Sequence, residues 1–367
     1  MEICQLPGGF PAIPLRSDFN RTLGKLPPAH LQWPAFLPRV TALSNSPPEN
    51  SESESRNRMF ILGMGFVAQF LARELKNEGW VVSGTCTSMK KKRELEQNGF
   101  DVYLFDANEP EVRNMNSLKC YTHLLVSIPP LMGIGDPVLQ RGESLRSAMM
   151  DGNLQWVGYL SSTSVYGDCG GAYVDEDHPT SPINELAKLR LAAEEGWLNL
   201  GHDLGLAAQV FRLGGIYGPG RSAIDTIIKQ ESLSEGQKMR GQKMRGSRKY
   251  TSRVHVEDIC QALKASIDMP SSRRIYNVVD DEPAPREEVF AYALDLIEKK
   301  WPGLIKKRTS PQKDESFVRS GSSRGEKRVS NSRIKRELGV QLFHPSYKSG
   351  LQSVIDQMES PFQHAAY

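Results

Sequence analysis

A chain of 367 residues with 39% hydrophobic residues and a formal net charge of +3 is long enough for one large domain or two smaller ones. The small net charge argues neither for nor against a polyanionic partner. The C-terminal basic stretch from Lys306 to Arg336 has no aromatic platform and is diluted by Asp314, Glu315 and Glu326, and no apolar run approaches the roughly 20 residues of a membrane span, so neither nucleic acid nor a bilayer is an expected partner. The cysteines, Cys4, Cys86, Cys120, Cys169 and Cys260, lie far apart without paired metal spacing or CxxC, which points to a reducing compartment and to no bound metal.

Residues 1–55 differ from the rest. They are rich in Pro, Ser and Leu, carry scattered Arg16, Arg21, Lys25 and Arg39, and hold few acids before Glu49, although Glu2 and Asp18 run against the trend. Prolines interrupt every helical or strand period, and no continuous apolar run of secretory type precedes Met59. This is the profile of an organelle transit peptide with the polar spacer 51–55, plastid before mitochondrion because Ser and Pro outweigh any Arg-rich amphipathic helix. A disordered cytosolic tail is the alternative.

From Arg58 onward short apolar runs alternate with helical patterns. Residues 59–62 read as a buried strand, and 66–78 as a helix with Val67, Phe70, Leu71 and Leu75 on one face. The second strand, 80–82, ends at Gly84 and Thr85, and a basic helix follows from about Ser88 to Gln97, stopped by Asn98-Gly99. Strands follow at 102–105, 122–126, 155–160 and 207–211, with a long helix around 188–200 before the last. Strands separated by helices require crossover connections, so the expected fold is α/β with a doubly wound parallel sheet.

Directly after the first strand comes Gly63-Met-Gly65-Phe-Val-Ala68, opening a helix. In that context the string reads as a dinucleotide-binding turn of Rossmann type. Gly63 makes the tight turn, Gly65 lets backbone approach a pyrophosphate, and Ala68 still allows close helix–sheet packing. The free N–H groups of the first helical residues, Phe66 and Val67 among them, then face the phosphates. An NAD site places a carboxylate near the end of the second strand. Here that stretch is Ser83-Gly-Thr85-Cys-Thr87-Ser88, followed by Lys90, Lys91, Lys92 and Arg93. Hydroxyls backed by cations suit the 2′-phosphate of NADP; NAD and a plain N-cap at Ser88 are the alternatives.

Further on, Leu160-Ser-Ser-Thr-Ser-Val-Tyr-Gly-Asp168 resembles the signature of the extended short-chain dehydrogenase/reductases, which include nucleotide-sugar epimerases and dehydratases. Matching strings follow in order: Asp175-Glu-Asp-His-Pro179, Leu191-Ala-Ala-Glu194, Arg212 through Gly220, Val254-His-Val-Glu-Asp258 and Ile275-Tyr-Asn-Val278. The resemblance implies a dinucleotide-binding part over 57–220 and a smaller substrate-facing part over 221–367, interleaved with the sheet. It also implies that Asp106 lies beside the adenine, that Ser127, Ile128 and Pro129 line the nicotinamide side, and that Ser162 orients a substrate oxygen. The unnamed partner is then a small-molecule substrate, and a second copy of the chain could pair through the helix carrying Arg190.

One element of the family pattern is missing. A Tyr and a Lys four residues apart normally share one helix face, where the Lys charge draws the phenol pKa down from about 10. Counting from Pro182 or from Glu194 puts Leu186 and Arg190 at those positions, and a two-residue slide gives Asn184 and Lys188. Neither Leu nor Asn relays a proton, and Arg is a fixed cation, not a base. The shortened glycine turn and the missing pair resemble the atypical branch of that family. The reading is therefore an NADP-dependent oxidoreductase or epimerase-like enzyme on a hydroxyl or carbonyl compound, with a non-catalytic cofactor-sensing protein as the alternative. Tyr166, Tyr217 and His255 read as structural, and Tyr173 as part of a polar segment able to fold over the site. Toward the C-terminus, Pro285 to Lys300 reads as an amphipathic helix and Asn331 to Leu338 as a short one closed by Gly339. The tandem Gln-Lys-Met-Arg-Gly repeat within 236–246 reads as a basic surface loop.

Overall fold

The computed structural model describes residues 57–106, 115–231, 249–305 and 325–361. The transit-like segment, the tandem repeat and the first part of the C-terminal basic stretch lie outside them. Seven strands form one parallel sheet: β1 (Arg58–Leu62), β2 (Val81–Cys86), β3 (Asp101–Leu104), β4 (His123–Val126), β5 (Trp156–Ser162), β6 (Ala207–Leu213) and β7 (Arg274–Val278). Their spatial order is 3-2-1-4-5-6-7, so the direction of winding reverses between β1 and β4. The chain is a doubly wound α/β protein, and in such sheets ligands settle beyond the carboxyl ends of the strands at that reversal.

Both faces are covered, which is why most of the central strands read as continuous apolar runs. On one face α1 (Phe66–Asn77) and α6 (Val256–Asp268) press Val67, Leu71, Leu75, Ile259 and Leu263 onto Trp156, Phe211 and Tyr276. On the other, α3 (Glu143–Met150) and α4 (Glu185–Asp203) bury Leu145, Met149, Trp197 and Leu198 against Phe60, Tyr159 and Val210. The basic helix α2 (Met89–Gln97) adds only Leu95 to the core.

A separate apolar cluster joins α5 (Ala223–Glu231), α7 (Arg286–Lys300) and α9 (Tyr347–Gln357). The buried stripe of α7 is Val289, Ala293, Leu296 and Ile297, as its 3.6-residue period requires. The short helix α8 (Ser332–Leu338) ends at Gly339 in the left-handed region (φ 64°). Although β7 belongs to the second half of the sequence, it pairs with β6 and extends the main sheet. No described helix is long and apolar enough to cross a membrane.

His123 sits in the middle of the sheet between Trp80 and Trp156, with its Nδ1 2.8 Å from Thr122 Oγ1. Burial pushes its pKa down to about 4, against about 6.5 in an unfolded chain. A base held neutral by the fold contributes stability above pH 6.5 that disappears as pH falls toward 4. Urea unfolding at pH 7 and pH 4.5 should show His123→Phe losing about 2 kcal/mol less than the wild type over this interval. Equal losses in the two proteins would contradict this assignment.

Candidate functional site

The carboxyl ends of β1, β2 and β4 meet around the glycine turn. Gly63 has φ of 94°, in the left-handed region that favours glycine, and a Cβ there would come within 3.0 Å of Ile128 Cγ1. Gly65 is different: its φ is −81°, and a Cβ would meet no heavy atom within 4 Å. The space above Gly65 is therefore open, and it lies at the start of α1. That helix has no side-chain cap and no acidic residue in its first turn. Uncapped N–H groups beside open space are what a pyrophosphate requires.

Thr85 has a different role from the one the sequence assigns it. Its hydroxyl faces inward and accepts the Gly63 N–H (2.9 Å), while its carbonyl accepts the Met64 N–H (2.7 Å). Thr85 is buried and braces the turn, so it is not a ribose contact. The strand end explains the correction: Val82 to Cys86 are buried on both faces of the sheet, whereas Thr87 and Ser88 lie past the end of the strand and are exposed. Ser88 Oγ accepts the Lys91 N–H (3.3 Å) as the N-cap of α2. Lys91 and Lys92 pair with Glu94 and Glu96. Lys90 and Arg93 are exposed and make no ion pair among the described residues.

Ser127 donates its N–H to the Leu62 carbonyl (2.8 Å), which sets Ser127 and Ile128 beside Gly63, with Pro129 exposed next to them. Asp106 is exposed just past β3, and its carbonyl accepts from Arg141 Nη2 (3.0 Å). Phe66 and Val67 contribute backbone only: Val67 is in the core, and the Phe66 ring packs on Phe70. Sequence reasoning missed Arg221. Its guanidinium lies 5.4 Å from the centre of the Phe66 ring and has no hydrogen-bond or ion-pair partner among the described residues. The loop 218–221 that carries it is folded by reciprocal backbone hydrogen bonds between Gly218 and Arg221. No local signal ties that loop to α1; only the sheet order does.

Ser162 ends β5, where its Oγ accepts the Ser164 N–H (3.2 Å) and keeps its own proton to donate. On α4 the side chain of Asn184 accepts the Ala187 N–H (3.0 Å) as the N-cap. Asn184 is thereby committed to capping, and Lys188 is exposed beside Glu185. Leu186 stands in the first turn, 47% exposed, and Arg190 is half-buried one turn on. The other phenols nearby do not substitute. Burial pushes Tyr159 well above its ordinary pKa, with Asp136 adding to the rise and Arg190 opposing it. Tyr166 is buried, donates to Asn277 Oδ1 (2.8 Å) and is likewise raised by burial despite Arg212. Tyr217 is buried and raised for the same reason. Burial thus disfavours proton loss from Tyr159, Tyr166 and Tyr217 alike.

The family strings instead build a buried polar chain. Ser161 donates to Glu194 (2.5 Å), Glu194 pairs bidentately with Arg212 (2.7 and 3.1 Å), and Arg212 Nη1 donates to Tyr166 (3.0 Å). Asn277 then donates its backbone N–H to Glu176 (2.7 Å). His255 caps α6, and the Asp258 carboxylate accepts the backbone N–H groups of Phe343 and His344, so both are structural as expected.

The model of the NAD dependent epimerase/dehydratase family matches residues 142–279. A solved structure of a conserved protein of unknown function from Silicibacter pomeroyi DSS is 35% identical, covering 83% of this chain and 100% of its own, with a TM-score of 0.66. Residues 142–279 thus carry the likeness to the NAD dependent epimerase/dehydratase family, and the likeness to the Silicibacter protein extends over most of the chain. Protein YeeZ of Escherichia coli (strain K12) is 27% identical over 295 residues, 78% of this chain and 96% of its own. The UDP-glucuronic acid 4-epimerase of Bacillus cereus, solved with UDP-glucuronic acid and NAD, is 17% identical. It covers 82% of this chain and 99% of its own with a TM-score of 0.62, a likeness of fold.

Removing one partner of the Glu194–Arg212 pair strands a charge where both side chains have almost no solvent contact. Arg212→Leu should cost about 3–5 kcal/mol in urea unfolding, and the double replacement Arg212→Leu, Glu194→Leu should cost less. A single-variant loss below about 1 kcal/mol would contradict this account of the pair.

Proposed function

We propose that the chain binds NADP across the Gly63–Ala68 turn and uses it, as an atypical epimerase-like oxidoreductase, on a small hydroxyl or carbonyl compound. The observation that carries the reading is the turn itself: an uncapped helix start, open space over Gly65, and a brace from Thr85 that holds both in place. The first-turn N–H groups of α1 would hold the pyrophosphate, with the unpartnered Arg221 guanidinium as a second source of positive charge. At the end of β2 there is no carboxylate to take a ribose hydroxyl. Thr87, Ser88, Lys90 and Arg93 stand exposed there, which favours a 2′-phosphate over NAD. Asp106 would lie by the adenine, and Ser127, Ile128 and Pro129 by the nicotinamide.

When bound, such a dinucleotide supplies hydride chemistry. Ser162 would orient the substrate oxygen with a hydrogen bond from its hydroxyl, and Arg190 would fix a hydroxyl or phosphate as a permanent cation. With Leu186 where the family has its phenol, the proton would come from water. A second reading, a cofactor-sensing protein without turnover, is favoured by that same Leu186 and by the commitment of the buried tyrosines elsewhere. The compartment proposed is the plastid, on the composition of residues 1–55, and the assembly a homodimer through α4.

The test is a titration of the full chain with NADPH and NADH, followed by a carbonyl panel monitored through nicotinamide absorbance. NADPH should bind about tenfold or more tighter than NADH, and Arg221→Ala should weaken NADPH several-fold, on the order of 1 kcal/mol. Oxidation of NADPH by a carbonyl compound supports the enzyme. Binding with a raised melting temperature and no turnover across the panel supports the sensor, and equal affinity for the two nucleotides removes the NADP assignment.

A further inference from the structure

Next to the loop 218–221, where a Cβ on Gly218 would lie 3.5 Å from His255 Nε2, three donor side chains from two distant stretches of chain converge. His255 ends the short strand Arg253–His255 and caps α6, Glu257 stands in the first turn of α6, and His344 arrives 87 residues beyond Glu257 from the segment before α9. That separation is why spacing in the sequence shows no ligand motif. Other groups hold the three in place. The Asp258 carboxylate accepts the backbone N–H groups of Phe343 (2.6 Å) and His344 (3.3 Å), which fixes the arriving segment. The Glu257 backbone N–H reaches His255 Nδ1 at 3.4 Å, a long hydrogen bond that occupies the lone pair of that nitrogen and that a bound ion would displace.

Glu257 Oε2 lies 2.7 Å from His344 Nε2 and 3.7 Å from His255 Nδ1, and donor atoms of the three residues all fall within 4.8 Å of one another. Zinc bonds of about 2.0–2.2 Å place neighbouring donors of a tetrahedral site roughly 3.3–3.5 Å apart, inside the observed spread. The local charge also calls for a cation. Neither Glu257 nor Asp258 has a Lys or Arg partner among the described residues, and Lys264 on the same helix is taken by Glu74 (3.3 Å) and Glu78 (2.5 Å). The positive end of α6 opposes a cation here, and its first-turn carboxylates, Glu257 and Asp258, offset that. Glu257 is only half-buried, which leaves an ion a way in.

We propose that His255 Nδ1, Glu257 Oε2 and His344 Nε2 bind a divalent transition-metal ion of the zinc class, with water completing the coordination. The ion clamps the segment before α9 to the start of α6 and so ties the C-terminal helix to the sheet. Unlike the reading of the glycine turn, this site needs no dinucleotide, and either assignment can fail without the other.

The probe is the metal alone. Full-length chain without a histidine tag, stripped with chelator, is titrated with Co(II) and then Zn(II). One equivalent of Co(II) should bind with the strong visible ligand-field absorption of four-coordinate cobalt. Zn(II) should displace it and raise the melting temperature. Glu257→Gln and His344→Gln should each abolish the absorption and weaken Zn(II) about tenfold or more. Both variants keep a polar side chain in place, and their melting in chelator should match that of the stripped wild type. His202→Gln, on the exposed end of α4, should change nothing. Cobalt that stays pale, or variants that bind Zn(II) like the wild type, overturns the proposal and leaves the cluster a hydrogen-bonded latch.

Discussion

Glu194 and Arg212 face each other where water hardly reaches, and most of the carboxyl edge of the sheet is arranged around that pair. Two charges so placed are stable only if every remaining donor and acceptor is satisfied. Ser161 takes one carboxylate oxygen, and Tyr166 takes the guanidinium nitrogen that the carboxylate leaves over. Tyr166 passes the chain on to Asn277 of β7. The pair thus fixes α4 against β5 and β6, sets the turn after Ser162, and draws in the strand from the second half of the sequence. The residues that make the chain recognisable as a family member are largely these, and their work is architectural.

That division bears on the chemistry. The family resemblance implies a phenol facing the nicotinamide from the first turn of α4, and on the proposed reading Leu186 stands there. The Asn184 cap fixes where that helix starts. The turn that would hold phosphates is built separately, from the end of β1 and the start of α1. Binding and proton transfer are separable in this fold, because the first rests on backbone N–H groups and the second on one side chain.

Much of the architecture was legible in the sequence because parallel strands covered on both faces must be apolar throughout, and the helices between them must show a 3.6-residue stripe. β1, α1 and α7 have the extents that patterning implies, and the glycine turn falls where strand, turn and helix meet. Two helices went unread although their buried residues fall at helical spacing: Tyr347, Gly350, Leu351, Val354 and Ile355 in α9, and Ile224, Ile227 and Ile228 in α5. The seventh strand was visible as a string but not as a sheet member, since the edge it joins depends on the crossover from α6. At the site, Thr85 was misassigned because composition names a hydroxyl without saying whether it lies inside a covered strand or past its end. Arg221 and the His255–Glu257–His344 cluster were invisible because tertiary contacts alone bring their partners together.

The account rests most on the open space over Gly65 being the seat of a pyrophosphate. Because a Cβ at that position meets nothing in the protein, Gly65→Val should leave the ligand-free fold nearly untouched while filling the space a phosphate needs. The decisive measurement is calorimetric titration of wild type and Gly65→Val with NADPH, alongside their melting temperatures without ligand. The prediction is equal melting temperatures, binding by the wild type and none by the variant. Equal NADPH binding by both proteins, or none by the wild type, would contradict it.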